Sequence, residues 1–183
     1  MNETVSDQNH SSEKIEQRDS HERIVNRDLP YLAKKLKEEG VISAYNRKPF
    51  VIPTYEGGPA LKIYPDLILY MPDKRKVAIE VANPKDPKRF IGEMLYSQLL
   101  GYHKKISAVI IYVIHTYKEK KKHARSFGEI QLLHEVFEHK TPLVAMSWTS
   151  DESILYNNLK ILLTSKRLGL PKIQKLISKR GHH

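Results

Sequence analysis

The fold is decided by residues 65–102, PDLILYMPDKRKVAIEVANPKDPKRFIGEMLYSQLLGY. Asp66 to Met71 (DLILYM) and Lys76 to Ala82 (KVAIEVA) are short, apolar and rich in branched side chains, the composition of strands. Pro72-Asp73-Lys74 between them is turn chemistry, so the two runs read as a hairpin. Asn83-Pro84-Lys85-Asp86-Pro87 ends the second strand, because prolines cannot donate to its ladder. A helix is expected from about Pro87 to Lys104.

Side chains alternate across a strand, so Ala78, Glu80 and Ala82 share one face. A three-residue loop, Pro72–Lys74, pairs Met71 with Arg75 and therefore Asp66 with Glu80. Opposed carboxylates lie about 5 Å apart at their Cβ atoms and repel each other unless a cation separates them. A hard divalent ion, Mg²⁺ or Mn²⁺, suits such an oxygen site and can activate water against a phosphodiester. The competing reading is that Glu80 turns outward at the end of its strand.

Outward from this core, Leu29, Leu32, Ala33 and Leu36 recur at helical spacing, with Asp28 a candidate N-cap and Gly40 a stop. Val41 to Tyr55 suits a strand pair punctuated by Pro49 and Pro53. Ser107 to His115 is a buried strand, 127–138 a helix, Leu143 to Trp148 a strand, and Ser150 to Thr164 a helix capped by Ser150 or Asp151. The expected fold class is α/β, a central mixed sheet flanked by helices. Residues 1–20 are expected to form a flexible arm, 21–165 the domain, and 166–183 a basic segment ending in a tag-like Gly181-His182-His183.

On the 87–104 helix, Phe90, Ile91, Met94, Leu95, Leu99 and Tyr102 fill an apolar arc of about 180°. Gln98 falls inside that arc and must find partners there. The strand-end carboxylates or a metal-bound water could serve; so could backbone groups alone.

The chain carries 31 Lys and Arg against 21 Asp and Glu, a formal charge of +10. No acid follows Glu152, whereas Lys160, Lys166, Arg167, Lys172, Lys175, Lys179 and Arg180 do. Such asymmetry favours a polyanionic partner, with DNA first and a solvated basic face as the bland alternative. Candidate contacts are Lys120, Lys121, Lys122 and Arg125 of a charged loop, and Lys172, Lys175, Lys179 and Arg180 of the C-terminal segment. With no cysteine, disulfides and thiolate zinc sites are excluded. No apolar run reaches membrane-spanning length, so an intracellular, cytoplasmic protein without a membrane partner is expected. The Lys, Glu, Ile and Tyr content also suits a thermophile. The histidines, His21 among them, show no metal-ligand spacing, and no Gly-rich phosphate loop follows a strand. A homodimer stays open.

Pro65-Asp66, Glu80 and Gln98-Leu-Leu-Gly-Tyr102, in this order, resemble the motifs of the PD-(D/E)XK nuclease superfamily. The match is to its RecB-like and archaeal Holliday-junction-resolvase-like branch, over about residues 28–115. The resemblance implies a restriction-endonuclease-like core and a Mg²⁺ (or Mn²⁺) ion held by Asp66, Glu80 and the carbonyl of Val81. An early-helix acid, Asp28 or alternatively Glu22, would join them. It implies hydrolysis of DNA phosphodiesters, with Gln98 supporting the site and the preferred structure (junction, flap or end) left open. The sequence departs from the pattern at Ala82, where the family has a lysine. Lys85, Lys88 or Lys62 would have to supply that charge. A non-catalytic nucleic-acid-binding protein that keeps the fold is the alternative, and an RNA-processing factor a third reading.

Overall fold

The computed structural model describes residues 21–54, 58–82, 87–114 and 141–165. Its helices are α1 (Leu29–Glu38), α2 (Pro87–Tyr102) and α3 (Glu152–Thr164). Its strands are β1 (Ala44–Asn46), β2 (Phe50–Ile52), β3 (Leu61–Ile63), β4 (Leu67–Tyr70), β5 (Lys76–Ala82), β6 (Ala108–Val113) and β7 (Leu143–Ser147). A five-stranded mixed sheet has the order β1-β4-β5-β6-β7, and β2-β3 form a separate two-stranded ribbon. The protein is therefore α/β, with β1-β4-β5 antiparallel and β5-β6-β7 parallel.

The hairpin has the expected register: Leu67 pairs with Ile79 and Tyr70 with Lys76. Met71 N donates to Arg75 O at 2.9 Å and Lys74 N to Met71 O at 3.0 Å. Lys74 takes a φ of 68°, the left-handed position that lets a three-residue loop follow the strand twist. β5 and β6 are buried on both faces, as their continuous apolar runs require.

One face of the sheet, carrying Leu67, Leu69, Val77, Ile79, Val81, Ile110 and Tyr112, packs against α1 and α3. The other carries Ala78, Ala82, Val109, Ile111 and Val113 and packs against Met94 and Leu100 of α2 and Ile52 and Ile63 of the ribbon. Gly40 ends α1 at a φ of 72°. There Val41 N reaches Leu36 O at 2.9 Å and Gly40 N reaches Lys37 O at 3.0 Å, the paired bonds of a Schellman stop. Asp151 caps α3, its Oδ1 accepting from Ile154 N at 3.1 Å.

Three expectations are corrected. Asp28 is not an N-cap: it has helical angles and makes no capping bond, because the helix runs through it from residue 21. Pro30 has no N–H for the Asn26 carbonyl, and the chain accommodates it with a π-helical turn, Ile24–Asp28, whose Ile24 O accepts from Leu29 N. Within 41–55, β1 and β2 do not pair with each other; β1 joins β4 and β2 joins β3. Asn46 Oδ1 accepts from Lys48 N at 3.1 Å and turns the chain off the sheet ahead of Pro49.

The third correction concerns α2, whose buried arc is rotated from the expected one. Met94, Ser97, Gln98 and Leu100 are buried, whereas Ile91, Leu95 and Tyr102 are 39, 49 and 58 % exposed. Among the described residues no helix is long and apolar enough to cross a membrane. The expected 1–20 arm, the 127–138 helix and the 166–183 segment lie outside the described residues.

Candidate active site

β4 stops at Leu67, one residue short of Asp66, while β5 continues to Ala82. The Asp66 side chain takes the place of the missing ladder: its Oδ2 accepts from Val81 N at 2.8 Å. In return, Asp66 N donates to Glu80 Oε2 at 3.4 Å. Both acids lie on the α2 face of the sheet, since Ile68 pairs with Ala78 and the alternation carries Asp66 to Glu80. Glu80 is only 6 % exposed, and the other buried polar residues among those described are Ser97, Gln98 and Thr141. The reading of Glu80 as an outward strand-end residue is thereby excluded.

A residue that the sequence did not single out completes the cluster. His21, at the start of the helix leading into α1, places Nε2 at 3.1 Å from Val81 O and 3.9 Å from Asp66 Oδ2. A carbonyl can only accept, so Nε2 carries the proton and donates to it. The imidazole thus sits on the carbonyl that the resemblance assigns to a metal. One signal could have found it: His21 stands three and four residues before Ile24 and Val25, on the buried stripe of its helix.

As a donor set, two carboxylates and a carbonyl suit Mg²⁺ or Mn²⁺, whereas the His21 Nε2, protonated and donating to Val81 O, offers no lone pair to an ion in this arrangement. Among the described residues, however, no group of three or more His, Cys, Asp or Glu is gathered closely enough to hold an ion as it stands.

The remaining candidates lie elsewhere. Asp28 follows His21 by seven residues, roughly 10 Å along a helix. Its carboxylate accepts from Arg27 Nε at 2.8 Å and lies 3.6 Å from Arg23 Nε, so it is spent on arginines and not on the acid pair. Glu22 is exposed. Gln98 does not reach the acids: its Oε1 accepts from Thr141 N at 2.8 Å and its Nε2 donates to Thr141 O at 3.4 Å. The backbone alternative is the correct one. Thr141 precedes β7, at the end of the parallel strands opposite to Glu80. Tyr102 is exposed and edge-on to His103.

Ala82 is 1 % exposed within the apolar cluster under α2. Lys62 is exposed on β3, on the side of the ribbon away from buried Ile63. Lys85, the Lys88 side chain, Lys120, Lys121, Lys122, Arg125, Lys172, Lys175, Lys179 and Arg180 lie outside the described residues.

The acid pair sits at the carboxyl ends of the parallel strands, the end at which open α/β sheets bind ligands. At the same end, two strands away, a cavity of about 490 Å³ opens between the first helix and the β7–α3 loop. Compared with protein-family models, curated proteins and solved structures, the chain matches none.

Proposed function

We propose that this chain is a divalent-metal-dependent DNA nuclease with a restriction-endonuclease-like core. The observation that carries the reading is the convergence of Asp66, Glu80 and the Val81 carbonyl at one strand end of a mixed sheet. Asp66, Glu80 and Val81 O would hold Mg²⁺ or Mn²⁺, which when bound supplies Lewis-acid polarisation of the phosphodiester and an activated water. The Val81 N–H fixes the orientation of the Asp66 carboxylate. His21 stands beside both groups, its Nε2 donating to Val81 O at 3.1 Å and lying 3.9 Å from Asp66 Oδ2. The formal charge of +10 draws a polyanion toward these acids.

One observation favours a second reading, a nucleic-acid-binding protein without catalysis: Ala82 occupies the position at which the related motif has a lysine. Incubation of the purified chain with labelled junction, flap, single-stranded and blunt duplex DNAs, with Mg²⁺ or Mn²⁺, separates the two. The nuclease reading expects metal-dependent products that Asp66→Ala abolishes. It also expects Lys85→Ala or Lys88→Ala to slow cleavage by about 10²-fold, the scale for removing one charged group that stabilises the transition state. Binding without products under either metal would establish the second reading.

A further inference from the structure

The cavity at the carboxyl ends of the strands has a composition that the proposed hydrolytic site does not use. Arg23, Arg27 and Tyr31 line one wall, and Trp148 and Ser150 the other. Arg27 and Arg23 are 71 and 51 % exposed, and Asp28 engages only their Nε atoms, so the terminal Nη forks are not consumed by that pairing. Trp148 is half-buried, packed against the core and held edge-on by Tyr112, ring centroids 5.4 Å apart at 86°. Tyr31 is 49 % exposed. The N-terminus of α3 lies on the same rim, with Ser150 just ahead of its Asp151 cap. Glu152 also lines the cavity but is neutralised by Lys35 Nζ at 2.8 Å.

Aromatic faces next to guanidinium forks are what a single nucleotide requires: a π surface for the base and paired donors for the phosphate. The volume fits one small ligand and not a double helix. Trp148 N bonds to Val113 O, and Ile114 N to Ala82 O, so the cavity lies two strands from Val81 along the carboxyl ends, about 10 Å between backbones at the usual strand spacing, and on the α1–α3 face, opposite to the face that carries the acids. We propose that this cavity binds one unpaired nucleotide of a DNA strand that passes over the carboxyl ends of the strands between the cavity and the acid pair. This inference rests on the nuclease reading for its geometry. It makes the substrate DNA with unpaired nucleotides, since bases stacked in a duplex cannot enter without being extruded.

Trp148 is the only tryptophan in the chain, so its fluorescence reports on the cavity alone. The full chain is titrated, without divalent metal, with a thymidine oligonucleotide, a fully paired duplex of equal length, and inorganic polyphosphate. The expected result is quenching by the single strand and little by the other two. Equal quenching by polyphosphate, or none by the oligonucleotide, overturns the proposal. Trp148→Ala should weaken single-strand binding about 5- to 150-fold, the range for removing one stacking platform.

Should that variant fail to fold, Arg27→Gln, on an exposed side chain, tests the same cavity. The slope of log affinity against log salt should fall by about 0.7, because one phosphate of the single strand is no longer neutralised. An unchanged slope and affinity overturn the role given to this wall. Because binding is read without metal, the two readings fail separately. Metal-dependent cleavage without quenching removes the cavity proposal only, and quenching without cleavage removes the nuclease.

Discussion

Gln98→Met offers the sharpest test of how α2 is held, because the two side chains are close in length and volume while Met has no amide. In the wild type, Gln98 is 3 % exposed and Thr141 6 %, and the amide satisfies both backbone groups of Thr141. The 2.8 Å bond from Thr141 N is the strong one; the 3.4 Å bond to Thr141 O is long and contributes little. Met leaves a buried N–H without an acceptor, which costs about 1–3 kcal/mol. The apolar side chain offsets only part of that, so a net loss of about 1–2 kcal/mol is expected. With a urea m-value near 2 kcal/mol/M, the midpoint should fall by roughly 0.5–1 M with the slope unchanged. Circular dichroism in urea measures the shift, and on the proposed nuclease reading cleavage per folded molecule should stay at the wild-type level. An unshifted midpoint combined with lost cleavage would refute the reasoning and return Gln98 to the reactive site.

Gly101 packs against the same threonine: a Cβ built on it overlaps Thr141 Oγ1 and lies 2.6 and 2.8 Å from Thr141 Cβ and Cγ2. Gly101→Ala should therefore destabilise by about 1–3 kcal/mol despite its better helix propensity, and Thr141→Gly in the same chain should recover part of that loss in the urea midpoint. Lys160 Nζ, 2.6 Å from Glu39 Oε2, holds the Glu39 carboxyl below its ordinary value of 4.5. A lowered pKa contributes stability that is complete above the ordinary value and is lost as the pH falls toward and through the lower folded-state value, so the melting-temperature gap between wild type and Glu39→Gln should close on acidification. His21→Gln should change the unfolding free energy by no more than about 0.5–1.5 kcal/mol, the net worth of one hydrogen bond, while, on the proposed nuclease reading, raising the Mn²⁺ concentration needed for half-maximal cleavage; an unaltered metal titration would show that the imidazole takes no part.

The acid pair is legible in the sequence because two local rules coincide. A three-residue loop fixes the register, and alternation then puts Asp66 opposite Glu80. The strands themselves are legible from apolar runs, and β5 falls at the predicted residues. His21 is legible only as a member of the buried stripe with Ile24 and Val25; that it meets Val81, sixty residues away, follows from the docking of the helix leading into α1 on the sheet. Asp28 stands at the distance before Gly40 that the resemblance gives the early-helix acid, and before Leu29-Pro30 it also looks like a cap, whereas the π-helical turn carries the helix back through it to His21. The orientation of α2 is misleading for a related reason. Its apolar residues suggest one inward arc, but Gln98 and Gly101 are the pair that fit the Thr141 backbone and side chain, and they turn Leu95 and Tyr102 to solvent.

The short loop at Pro72–Lys74 also has a consequence for how the chain reaches its fold. β4 and β5 meet across three residues, whereas β5 and β6 meet only after the whole of α2 has been threaded between them. Loop-closure entropy makes the hairpin the least costly contact of the sheet to form, and the parallel pairings the slowest. The two carboxylates are therefore brought face to face at the start of folding, before α2 and the ribbon exclude water from that side of the sheet. Their repulsion is met while it is still screened by solvent and salt. The electrostatic cost of the site then falls on the late burial step, so it raises the rate at which the native protein opens more than it slows the first pairing of the chain.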